Sequence, residues 1–73
     1  MESVKDARVC DRIEAITGRE IVVGDVKRLA DSWHMTMEDV YVVLDANMGS
    51  LDAVLLPELC DEFNVNWQDL LGL

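Results

Sequence analysis

The chain has 73 residues, 51% of them apolar, with six Lys or Arg against 15 Asp or Glu and a formal net charge of −9. That leaves room for one small domain, residues 1–73, and excludes a second one. The apolar content excludes a disordered chain, and the acidity argues against a general nucleic-acid binder.

In chain order the pattern predicts short helices, each with a start signal. Ser3-Val-Lys-Asp6 reads as a capping box. After it Val9, Ile13 and Ile16 recur at helical spacing, with Ala7 and Cys10 beside them, and Gly18 is the stop. Ile21-Val22-Val23 is β-branched and is expected to be an extended connector that buries its apolar side. Asp25 is expected to cap a second helix that carries Val26, Leu29, Ala30 and Trp33 on one face. His34-Met35 forms a turn. Thr36-Met-Glu-Asp39 is a second capping box, opening a third helix with Val40, Val43 and Leu44 inward. Asn47-Met48-Gly49-Ser50 breaks that helix. A fourth carries Leu55, Leu56, Leu59 and Phe63 on its inner face. Pro57 would cost roughly 3 kcal/mol in the interior of a helix capped by Ser50 but is harmless in a first turn, so the regular helix is expected to start near Val54, with Ser50 to Ala53 in a separate turn; a helix kinked at Pro57 is the alternative. Asn66 caps a last short helix, Trp67 to Leu71. The expected fold is all-α: one small bundle of about five short helices.

The charge is unevenly placed. Residues 1–28 hold all six basic side chains and six acidic ones; residues 29–73 hold nine acidic side chains and no Lys or Arg. A stretch without cations has nothing to neutralise phosphate, and counterion-release binding needs several basic contacts. The longest apolar run, Val40–Leu44, is too short for a membrane span. The opening Met-Glu-Ser-Val-Lys-Asp lacks the layout of a signal peptide, so the expected compartment is the cytoplasm, with Cys10 and Cys60 as reduced thiols.

Asp25-Val-Lys-Arg-Leu29-Ala30-Asp-Ser-Trp33, the turn His34-Met35-Thr36, core positions Val40 and Val43, and the ending from Leu59 to Leu73 resemble the lambda-repressor-like helix-turn-helix family of the Cro and Xre type. The resemblance covers residues 25–73. It implies a helix-turn-helix in which the third helix reads DNA bases. The chain departs from the family at the positions that would touch DNA. Val26 stands where the family has a phosphate-contacting Gln, and Met37, Glu38, Tyr41 and Val42 stand where polar base-reading residues belong. A second resemblance is to acyl carrier proteins. Gly49-Ser50-Leu51-Asp52-Ala53-Val54 with Asp61-Glu62-Phe63 is similar to the motif whose Ser carries phosphopantetheine, which implies modification at Ser50. Gly49 replaces the usual acidic residue there, and Pro57 interrupts the helix that would meet partner enzymes.

Catalysis needs a nucleophile, a base and an orienting group on one site. The single His34 and two distant cysteines do not supply it, and they are too few ligands for zinc. The carboxylates lack the pattern of a calcium loop, and no Gly-rich phosphate loop is present. The chain is therefore expected to be no enzyme, with no cofactor and no metal. Trp33 is read as core; Trp67 either covers the end of the core or stands exposed as a contact.

The expected function is a small acidic regulator that binds a protein with a basic surface, such as a DNA-binding protein, in the manner of a phage or mobile-element antirepressor, inhibitor or DNA mimic. Its contact residues would be Met37, Glu38, Asp39, Tyr41, Val42 and Asp45, apolar anchors ringed by charge. The alternative is a DNA-binding transcriptional regulator with Arg8, Arg12, Arg19, Lys27 and Arg28 on the phosphates. Exposed Tyr41 or Trp67 would also suit a homodimer face.

Overall fold

The computed structural model describes residues 4–72. These form five α-helices and two 3-10 turns, and no β-strand occurs among the described residues. The helices are α1 (Val9–Thr17), α2 (Val23–Trp33), α3 (Met37–Asp45), α4 (Leu55–Phe63) and α5 (Trp67–Leu71). The 3-10 turns are Val4–Asp6 and Met48–Ser50. The expected all-α bundle is what the chain forms.

The first helix starts later than the expected capping box would place it. Ser3 lies outside the described residues, and Val4–Asp6 forms only a 3-10 turn. The reason is a tertiary pairing. Val9 N–H donates to the Ala46 carbonyl (2.9 Å) and Met48 N–H to the Ala7 carbonyl (2.8 Å), on either side of an isolated antiparallel bridge between Arg8 and Asn47. Arg8 is extended to make that pairing (φ −70°, ψ 149°), so the helix begins only at Val9. It ends at Gly18, which takes the left-handed φ of 74° and donates to the Glu14 carbonyl.

α2 also starts before its expected cap. Val22 is the N-cap, and Asp25 sits inside the first turn, where its carboxylate accepts from Val22 N–H at 3.0 Å. This is the reciprocal half of a capping box; Val22 has no side-chain acceptor for the other half. The connector is less buried than expected. Ile21 packs on the core, but Val22 and Val23 are 55% and 62% exposed because they open the helix on its solvent side.

The turn into α3 closes with His34 at φ 56° and Met35 N–H on the Ala30 carbonyl, a Schellman arrangement. α4 ends the same way through Asn64 and Val65. Thr36 caps α3, its Oγ1 accepting from Asp39 N–H at 3.1 Å, which is one half of the expected capping box; the Asp39 carboxylate does not return a bond to Thr36 N–H. Thr36→Ala is expected to cost about 1 kcal/mol, read as a lowered urea midpoint. Pro57 is the third residue of α4, where its missing N–H removes no helical bond; the separate 3-10 turn ahead of it is Met48–Ser50 and not Ser50–Ala53 as expected, because Met48 is drawn into the core and its N–H is held by the Ala7 carbonyl. Asn66 caps α5 through Gln68 N–H.

One core joins all five helices. Val9 and Ile13 of α1, Leu29 of α2, Val40 of α3, Leu59 of α4 and Leu70 of α5 are fully buried, with Trp33 and Phe63 beside them. α2 packs on α3 and α4, while α1 bridges α3 and α5. Leu55, Leu56, Val43 and Ile16 are half-buried at its edge.

Candidate functional site

α3 follows the tight turn after α2, and its capped first turn fixes which residues face out. Spacing of three and four residues puts Met37, Val40 and Leu44 on one stripe. Val40 and Leu44 are buried, and Met37 is half-buried against the core. Met37 therefore does not stand on the outer face as expected. The same stripe that buries Val40 draws it inward.

The other expected contact residues face solvent. Tyr41 is 44% and Val42 67% exposed, and Glu38, Asp39 and Asp45 are exposed beside them. Glu38 and Asp39 occupy the first turn of α3, where the positive end of the helix dipole favours carboxylates. Neither has an ion-pair partner among the described residues. Asp45 accepts from Arg8 Nη1 at 3.4 Å. α3 thus presents two apolar side chains between unpaired carboxylates at one end and a weakly paired one at the other.

The basic side chains are mostly engaged within the fold. Arg8 donates to Asp11 in the first turn of α1 as well as to Asp45. Arg12 donates to the carbonyls of Asp69 (2.9 Å) and Leu70 (3.3 Å) and so ties α1 to the end of α5. Arg19 donates to Asp25 at 2.9 Å and lies 5.7 Å from the Phe63 ring centroid. Arg28 donates to Asp25 and to Glu62 of α4. Lys27 is exposed and has no ion pair among the described residues.

Asp25 is the centre of this network, 1% exposed. The Arg19 hydrogen bond holds its carboxyl below the ordinary aspartate value. Burial opposes that shift, and Val22 N–H and the charges of Arg19 and Arg28 reinforce it. The capping pattern identifies Asp25 only as a cap; both arginines lie within six residues of it, and what the pattern does not give is its burial, nor the tie from Arg28 on to Glu62 of α4.

Ser50 is exposed at the end of a 3-10 turn, and α4 begins only at Leu55. Burial raises the thiol pKa of both Cys10 and Cys60, which disfavours the reactive thiolate. Among the described residues no three of His, Cys, Asp and Glu are grouped to hold a metal, and no helix is long and apolar enough to cross a membrane. Sequence reasoning also missed a groove beside α5. Trp67, one turn ahead of the buried Leu70, was its only local signal.

No protein-family model, curated protein or solved structure matches the chain.

Proposed function

We propose that the chain is a small acidic regulator that binds a protein with a basic surface through the outer side of α3. The carrying observation is that Tyr41 and Val42 stand exposed on the same short helix as the unpaired carboxylates of Glu38 and Asp39. Apolar groups exclude water from the contact, and carboxylates at its rim select a cationic partner. In a DNA-binding partner those carboxylates would take positions that phosphates otherwise occupy. Asp45 adds a further charge once Arg8 releases it, at little cost because that pair is exposed.

The helix-turn-helix resemblance finds support in the order α2, tight turn, α3, and in the packing of α2 on α3. Direct DNA binding has less support. Arg8, Arg12, Arg19 and Arg28 are engaged within the fold, and of the five cations that reading needs only Lys27 has no such tie; Lys5 is the other exposed lysine without an ion pair among the described residues. The carrier reading has less again, because Ser50 stands five residues ahead of α4 instead of at a helix start.

Tagged chain recovered from its source cells after nuclease treatment should retain a basic protein. Glu38→Lys with Asp39→Lys should weaken that complex by roughly tenfold or more, whereas Asp52→Lys should leave it. A duplex-DNA gel shift at low salt should show no retardation. Steeply salt-dependent retardation, or a complex indifferent to the double variant, would overturn the reading.

A further inference from the structure

An open groove of about 410 Å³ runs between the first turn of α4 and the start of α5. Leu56, Pro57, Cys60, Val65 and Trp67 line it, together with Asp61. It shares no residue with the outer side of α3. Trp67 keeps 50% of its surface exposed and Val54, just ahead of α4, 74%. The buried Leu70 seats α5 on the core, so Trp67 is not the anchor of that helix. Burial keeps the Cys60 thiol protonated and hence uncharged.

The surroundings of the groove are charged with one sign. Asp61 lines the groove, and Glu58, three residues earlier on α4 and so its neighbour on the helix surface, stands outside the lining; both are exposed, and neither has an ion-pair partner among the described residues. No Lys or Arg occurs after Arg28, whose guanidinium is held by Asp25 and Glu62. This combination narrows the occupant. A second copy related by a two-fold axis at the groove would bring its own Glu58 and Asp61 against these. Nucleic acid and anionic lipid would be repelled by the same carboxylates. A cationic segment with large apolar side chains satisfies both features, and a groove between two helices suits an amphipathic helix.

We propose that this groove is a second docking surface, which takes a basic amphipathic helix of a partner protein: its apolar side chains enter beside Trp67 and Pro57, and its Lys or Arg side chains pair with Glu58 and Asp61. The proposal does not depend on the outer side of α3 and would stand if that surface bound nothing.

The test is a titration with a short helical peptide made only of Leu and Lys, followed by NMR. The indole signal of Trp67 and the amides of α4 and α5 should shift and saturate. Trp67→Ala should weaken binding by about tenfold or more, as truncation of a central aromatic anchor does. Glu58→Lys with Asp61→Lys should weaken it comparably without touching the core, which keeps the test valid if Trp67→Ala disturbs α5. Glu38→Lys with Asp39→Lys should leave it nearly unchanged. Shifts centred on Met37–Asp45, equal binding of a Ser and Lys peptide, or indifference to both groove variants would overturn the proposal. So would a concentration-dependent dimer in sedimentation that Trp67→Ala abolishes, which would assign the groove to a second copy.

Discussion

Replacing Asp25 with Ala is expected to lower folding stability by about 2–3 kcal/mol at neutral pH. The carboxylate is buried, accepts from Val22 N–H and pairs with both Arg19 and Arg28. Its loss leaves the Val22 amide without that acceptor and removes the anion that holds two guanidinium groups. Those groups are about half exposed and can turn to water, so the cost falls below that of stranding a fully buried charge. Asp25→Asn keeps an oxygen for Val22 and should cost about half as much, roughly 1–2 kcal/mol. Urea melts check both. The pH dependence carries a definite sign. The folded carboxyl titrates below its unfolded value of about 4, so its contribution is complete above that pH and is lost as the pH falls through the folded value. The wild-type urea midpoint should therefore fall below about pH 4 more steeply than that of Asp25→Asn. Parallel curves for the two proteins would show that Asp25 is not the group responsible.

Gly72→Ala should cost about 2–3 kcal/mol, against about 1 kcal/mol for Gly18→Ala. Both glycines hold a positive φ, 77° and 74°, which penalises any side chain. They differ in what a Cβ would meet. At Gly18 nothing lies within 4 Å, whereas at Gly72 the new atom would stand 2.6 Å from Val4 Cγ2 and 3.3 Å from Arg12 Nη2. Val4 is β-branched and has few rotamers with which to yield. Arg12 cannot swing away without releasing the carbonyls of Asp69 and Leu70. Thermal melts should reproduce the order. In a Val4→Ala background the Gly72→Ala penalty should shrink toward that at Gly18, because the 2.6 Å clash is gone and only the backbone cost and the milder 3.3 Å contact with Arg12 remain. An undiminished penalty would locate the strain elsewhere.

What could be read from the residues was what is encoded over short separations. Thr36 and Asn66 cap the helices they precede, and Gly18 ends α1. Pro57 delays α4 because a proline tolerates only a first turn. The core positions of α2 follow from its periodicity alone. What escaped depends on partners far along the chain. The start of α1 is set by pairing with residues 46–48, and Arg28 finds Glu62, 34 residues away, only once α2 meets α4. Arg12 looks like a surface cation until α5 folds back over it. For the candidate surface on α3, Glu38, Asp39, Tyr41, Val42 and Asp45 were placed outward correctly by helical phase. Met37 was not, because the width of the buried stripe is decided by the neighbouring helices. The groove at Trp67 is made by two elements and has no single-segment signature.

The ties on α1 bear on how the molecule can be divided. Charge separates the chain near residue 28, and the helix-turn-helix likeness begins near the same point, which invites excision of residues 25–73 as a minimal module. Mechanically the chain has no such seam. Backbone pairing of Ala7 and Val9 with Ala46 and Met48 closes a loop around α1 to α3, and Arg12 closes a longer one that encloses all five helices. Both closures start from α1, whose Val9 and Ile13 lie fully inside the common core. The balanced first third is thus the clamp that holds the acidic remainder in shape, and the two are expected to unfold in one transition.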